Sequence, residues 1–103
     1  MKRRLSVVRH KYQASSAGQL KKELEASGLS TFEWSDKPGA FYSPHSHAND
    51  EIIVVSSGKI VFIVDGIEHE LGPGDELVLP AHTTHSAENR SSTAVSYFIC
   101  TDR

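Results

Sequence analysis

From Leu29 onward, apolar residues come in short runs that alternate with polar ones, and turn-forming residues cut the runs apart. Pro38-Gly39 breaks the chain, and Ala40 to His47 then alternates bulky and small side chains. Glu51 to Val55 and Lys59 to Val64 are rich in Ile and Val and are separated by Ser56-Ser57-Gly58. Such runs predict strands. Asp65-Gly66 is the strongest hairpin signal in the chain, and Ile67 to Leu71 alternates cleanly after it. Gly72-Pro73-Gly74-Asp75 makes a further turn, and Leu77 to Leu79, Thr84 to Glu88 and Thr93 to Cys100 complete the series. Short strands this closely spaced predict an antiparallel sandwich or barrel.

Before Leu29 the period is different. Ser16 followed by Gln19 is a capping-box pattern, and Ala17, Leu20 and Leu24 recur at helical spacing with charged residues on the other faces. Gly28 stands where a left-handed helix end belongs. The spacing predicts one short helix, at about 17–26. Residues 1–13 alternate weakly and are compatible with an edge strand or a loose segment.

Composition narrows the function classes. With 103 residues there is room for one domain, taken as 1–103, and no linker divides it. The formal net charge of −2 gives no electrostatic reason to expect nucleic acid. The basic start, Met1 to Arg4, reads as a solvated, partly disordered terminus rather than a signal peptide, because Leu5 to Val8 is too short an apolar region. No segment has the apolar length to cross a bilayer. The chain holds 1 cysteine, Cys100, so no intrachain disulfide forms. A cytoplasmic location is the expectation.

The chemistry concentrates in His45-Ser46-His47-Ala48-Asn49-Asp50-Glu51. Residues two apart on a strand share a face, so His45 and His47 project together. Two such imidazoles make half of a metal site, Glu51 can add an oxygen donor, and an antiparallel barrel can bring His85 opposite them. The His-x-His pair also occurs in zinc hydrolases of other architecture, so the pair by itself leaves metal binding open.

The surrounding pattern resembles the two signatures of the cupin superfamily, specifically its small single-domain barrels. Gly39, His45, His47, Glu51 and Gly58 match the first at every spacing; Gly74, Pro80, His85 and Asn89 match the second. Together they span residues 39–89. One position departs, because His82 stands where the signature has glycine. His is among the few other residues enriched in left-handed backbone, so His82 reads as a turn residue with an exposed ring. A fifth ligand or a catalytic base near the mouth is the sharper alternative.

The resemblance implies an all-β fold, an antiparallel double-stranded β-helix or jelly-roll barrel with one N-terminal helix. It also implies one divalent transition metal ion, Fe, Mn, Ni, Zn or Cu, on His45, His47, Glu51 and His85. Strand parity from His45 puts Phe41 and Ser43 on the interior face, and Glu51 implies Ile53 and Val55 there. Phe62 and Tyr97 complete a mostly apolar pocket for a small organic ligand, with Ser43, Tyr97 and Asn89 as its polar handles. Ile52, Val54, Val61 and Ile63 make the opposite face apolar too, to be covered by the helix or by a second copy in a homodimer. A metal-dependent enzyme is expected, dioxygenase ahead of isomerase or lyase, with Glu51 as general base. The alternative is a non-catalytic small-molecule sensor or binding module.

Overall fold

The computed structural model describes residues 3–103. Its elements are β1 (Ser6–Val8), α1 (Ala17–Ala26), β2 (Leu29–Asp36), β3 (Phe41–His45), β4 (Glu51–Ser57), β5 (Ile60–Val64), β6 (Ile67–Leu71), β7 (Glu76–Leu79), β8 (His85–Glu88) and β9 (Val95–Asp102). Two antiparallel sheets face each other as a double-stranded β-helix. One has the order β1-β7-β4-β9-β2 and the other β3-β8-β5-β6.

Period-two alternation sorts the side chains of β4 between two cores. Ile53 and Val55 turn inward between the sheets, where they meet Ile60, Phe62, Val64, Leu71, Leu77, Leu79, Val95 and Tyr97. Ile52 and Val54 turn outward and pack with Val78, Phe98 and Cys100 against Leu20 and Leu24 of α1. The helix therefore covers the outer apolar face of the five-stranded sheet. Ser16 caps it by accepting the Gln19 N–H at 3.1 Å. The return bond of a capping box is displaced by one residue, since the Gln19 amide accepts from Ser15 instead, at 2.6 Å from Oγ. Val61 is buried on the outer face of the four-stranded sheet, where Ile63 is half-buried.

The segment before the helix is held more firmly than a loose terminus. β1 pairs with β7 as an edge strand. Asp75, 3% exposed, accepts the backbone N–H of Gly72 at 2.9 Å and of His10 at 2.8 Å, and the Arg9 guanidinium at 3.0 Å. Arg9 also donates to the Glu70 carbonyl. Of the basic start, Met1 and Lys2 lie outside the described residues, but Arg3 is anchored rather than free. Its guanidinium reaches Asp102 at 2.6 Å and its backbone N–H the Asp50 carboxylate at 2.9 Å.

Glycine is required most clearly at Gly58, between β4 and β5. Its φ is +77°, and an added Cβ would collide with the Ala94 carbonyl oxygen and lie 2.8 Å from Val95 Cα. Gly66, in the β5–β6 hairpin, has φ +76° but open space around it. Left-handed strain alone costs about 1–2 kcal/mol, so Gly66→Ala is expected to lose about that much. Gly58→Ala adds a backbone collision and is expected to lose more than about 3 kcal/mol. Urea unfolding of the two variants tests this; equal losses would contradict the close approach.

Burial pushes the Asp75 carboxyl up, but its three donors outweigh burial and leave it below the ordinary carboxylate range. The unfolded chain then takes up its proton at higher pH than the native one. The stabilisation is complete above a pH of about 4 and drains as pH falls through the lowered native value. Acid unfolding of Asp75→Asn, followed by circular dichroism, is expected to show a shallower acid limb than the parent.

Candidate metal centre

β3 and β8 lie side by side in the four-stranded sheet and carry two of the three imidazoles. Phe41 pairs with Glu88 and Tyr42 with Ala87, but then His45 pairs with His85, so β3 contains one extra residue. Such a bulge breaks alternation and re-aims the side chains after it. Pro44 sits within it, where a missing N–H costs least. Tyr42 and His45 consequently share the interior face, which strict parity would forbid.

This corrects part of the expected pocket. Phe41 is 60% exposed and turned away, and Ser43 is exposed as well. Tyr42 takes their place. Asn89 is not a polar handle either. It is 1% exposed, its amide donates to Thr93 O at 2.9 Å and Asp36 O at 3.3 Å, and its Oδ1 accepts from Ser91. It shapes the turn after β8.

One ring nitrogen from each of His45, His47 and His85 lies within 4.8 Å of the others. Small ring rotations bring three such nitrogens onto one ion with bonds of about 2.1 Å. The donor chemistry fits. His45 Nδ1 lies 2.7 Å from the Ser43 carbonyl and His85 Nδ1 lies 2.9 Å from the Thr83 carbonyl. A carbonyl only accepts, so each Nδ1 carries the proton and each Nε2 keeps its lone pair for a metal. Burial pulls His85 below the ordinary imidazole range, and its histidine neighbours add to that while the Thr83 carbonyl opposes it. The neutral, ligating form is favoured. Glu51, at the start of β4, places Oε1 3.7 Å from His47 Nε2.

Two hydrogen bonds lock the His47–Glu51 loop onto the turn before β8. The His82 N–H donates to the His47 carbonyl at 2.8 Å, and the Ala81 N–H donates to Asp50 Oδ1 at 2.7 Å. The Ala81 and Arg3 amides together hold the Asp50 carboxyl below its ordinary range. His82 itself is exposed, with φ +62°, so its backbone serves the site while its ring stays in solvent.

The imidazoles open onto a cavity of about 380 Å³ lined by Ile53, Phe62, Tyr97, Ile99 and Ala87, with Phe32, Trp34 and Tyr42 on the side of β2 and β3. Ile53, Phe62 and Tyr97, three of the residues expected around the pocket, line this cavity. Phe32, Trp34 and Tyr42 escaped the sequence reading. The alternation Phe32-x-Trp34-x-Asp36 was the available signal for the first two, and Pro44 the available hint of the bulge.

Cys100 is wholly buried, and burial raises its thiol to about 12, which suits a packing role. His69 lies half-buried on the edge strand β6, away from the cluster. No helix among the described residues is long and apolar enough to cross a membrane.

Several known proteins are similar to this chain in sequence or in fold. An acireductone dioxygenase of Exiguobacterium sibiricum is 36% identical over 70 residues, which cover 60% of this chain and 39% of that protein. The HTH-type transcriptional activator RhaS of Mannheimia succiniciproducens is 36% identical over 52 residues, 50% of this chain and 19% of the activator. The chain spans well under half the length of either relative. The solved structure of KdgF from Halomonas sp. superimposes with a TM-score of 0.63 at 28% identity, covering 74% of this chain and 70% of that one. The cupin domain family model matches residues 32–101. That is more than half of the chain, and the protein belongs to the cupin family.

Proposed function

We propose that this cupin is a metal-dependent enzyme acting on a small organic substrate, with dioxygenase chemistry ahead of isomerase or lyase chemistry. The observation that carries the reading is the convergence of three imidazoles, two of them oriented by backbone carbonyls, on one wall of a mostly apolar cavity. In this reading His45, His47, His85 and Glu51 hold one Fe, Mn, Ni, Zn or Cu ion, which supplies Lewis acidity and a template when bound. Ile53, Phe62 and Ile99 exclude water from the bound substrate. Glu51, partly buried beside His47, takes up a substrate proton at its carboxylate oxygen. The likeness to an acireductone dioxygenase over 60% of this chain supports oxygen chemistry. The reading includes a cytoplasmic homodimer that joins through apolar side chains left exposed, such as Ile67 at 60%.

A binding module is the second reading, and one observation favours it. The other hydroxyls on the cavity wall, Tyr42 and Tyr97, both donate to Asp36. Burial first, and Asp36 next, push both phenols above their ordinary range. Neither can serve as a base at neutral pH, so Glu51 and the imidazoles carry all the proton chemistry available.

Replacing His45 or His85 by Ala is expected to remove most of the bound metal, by elemental analysis, while far-ultraviolet dichroism stays that of the parent barrel. Full occupancy in both variants would exclude the assignment. The activity test is anaerobic purification, metal reconstitution and oxygen uptake against catechols, flavonols and thiols. Uptake with one substrate class, lost in Glu51→Gln, is the expected result. No uptake, together with a ligand that raises the melting temperature, would establish the binding module instead.

A further inference from the structure

The cavity has a second polar pole, built on Asp36 at the end of β2. Asp36 is 6% exposed. Its Oδ1 accepts the Tyr42 hydroxyl at 2.6 Å and Trp34 Nε1 at 3.0 Å, and its Oδ2 accepts the Tyr97 hydroxyl at 2.5 Å. All three donors are neutral, and among the described residues no cationic side chain is paired with it. A buried carboxylate without a cation is a costly arrangement that apolar packing would avoid. Here its donors are the side chains that line the cavity.

The hydrogen-bond directions have a chemical consequence. A phenol has one proton, and Tyr42 and Tyr97 both spend it on Asp36. Tyr42 also receives Trp34 Nε1 at 3.0 Å, and the Tyr97 hydroxyl, committed to Asp36, lies beside that of Tyr42. The wall is therefore an acceptor surface backed by uncompensated negative charge. The Phe62 ring neighbours both the histidines and this wall, its centroid 6.2 Å from that of His85 and 6.5 Å from that of Tyr97.

We propose that Tyr97, Tyr42 and Trp34, positioned by Asp36, form a subsite for the far end of the ligand that accepts an amine or hydroxyl group and rejects a carboxylate or phosphate. The inference rests on the reading that the histidine centre holds a metal that chelates the near end. Tyr97 and Tyr42 touch the ligand; Asp36 is a positioning residue that acts through them and through its charge.

The test uses two catechols of matched size, dopamine and homoprotocatechuate, whose tails end in an ammonium and a carboxylate. Calorimetry on the zinc-loaded full chain, under argon at neutral pH, reads binding without turnover. Dopamine is expected to bind at least about tenfold more tightly, the effect of one charge sign at short range in a partly desolvated site. In Asp36→Asn the ratio is expected to fall within about threefold. Tyr97→Phe, which keeps the charge and the ring, is expected to weaken dopamine and leave homoprotocatechuate unchanged, and it carries the test if Asp36→Asn does not fold. A purely structural Asp36 would lower stability without moving the ratio. Equal affinity in the parent, or a ratio unchanged in both variants, overturns the subsite while leaving the metal centre standing. A chain that takes up no zinc overturns the metal reading and the subsite with it, and binding of neither catechol to the zinc-loaded chain overturns the subsite alone.

Discussion

The candidate centre depends on one backbone irregularity, the extra residue that β3 carries against β8. Without it, His45 and Tyr42 would face opposite sides of the sheet, and either the imidazole or the phenol would leave the cavity. With it, His45 stands across from His85 while Tyr42 reaches over to Asp36. The bulge is sustained by ordinary forces. Ala40 and Gly39 exchange backbone bonds with Asn89 on one side, and His82 and Ala81 hold the loop after β3 on the other. Between the Tyr42–Ala87 and His45–His85 pairs β3 has one more residue than β8, and the surplus is taken up at Pro44.

Much of the architecture was legible because it rests on local rules. Helix α1 follows from Ser16, the spacing of Leu20 and Leu24, and Gly28; the β5–β6 hairpin follows from Asp65-Gly66. The spacing of Gly39, His45, His47, Glu51, Gly58, Gly74, Pro80, His85 and Asn89 resembles that of a cupin barrel. Phe41 and Ser43 were misplaced because parity counting assumes an unbroken ladder, and a bulge leaves only the faint mark of a proline. Asp36 was missed for another reason. A buried carboxylate between two tyrosines far apart in sequence, Tyr42 and Tyr97, is a product of tertiary pairing and has no local signature. The anchoring of the N-terminal segment is equally non-local, since Arg9 and His10 find Asp75 across 65 residues or more.

Three aspartates divide the labour of holding irregular backbone. Asp75 gathers the amides of a turn and of the N-terminal segment, Asp50 gathers those of the β7–β8 turn and Arg3, and Asp36 gathers side chains instead. The first two have backbone donors as partners, which is why they read as architecture. Asp36 is different in kind, because its partners form the wall that a bound molecule would meet. An uncompensated charge there raises the cost of folding, and the specificity it would confer on that wall is the compensation the chemistry offers.

Strand β4 is the shared wall of two cores, with Ile53 and Val55 facing the cavity side and Ile52 and Val54 facing the helix. The two populations of side chains do not touch; they communicate only through a backbone that both flanking strands hold in register. Robustness and specificity are thereby assigned to opposite sides of one strand. Changes beneath α1 can adjust how firmly the barrel holds together with little effect on the cavity's shape, and changes within the cavity can explore new ligands while the helix-side core keeps the molecule folded. In a chain of 103 residues that separation lets the pocket vary while the scaffold stays folded.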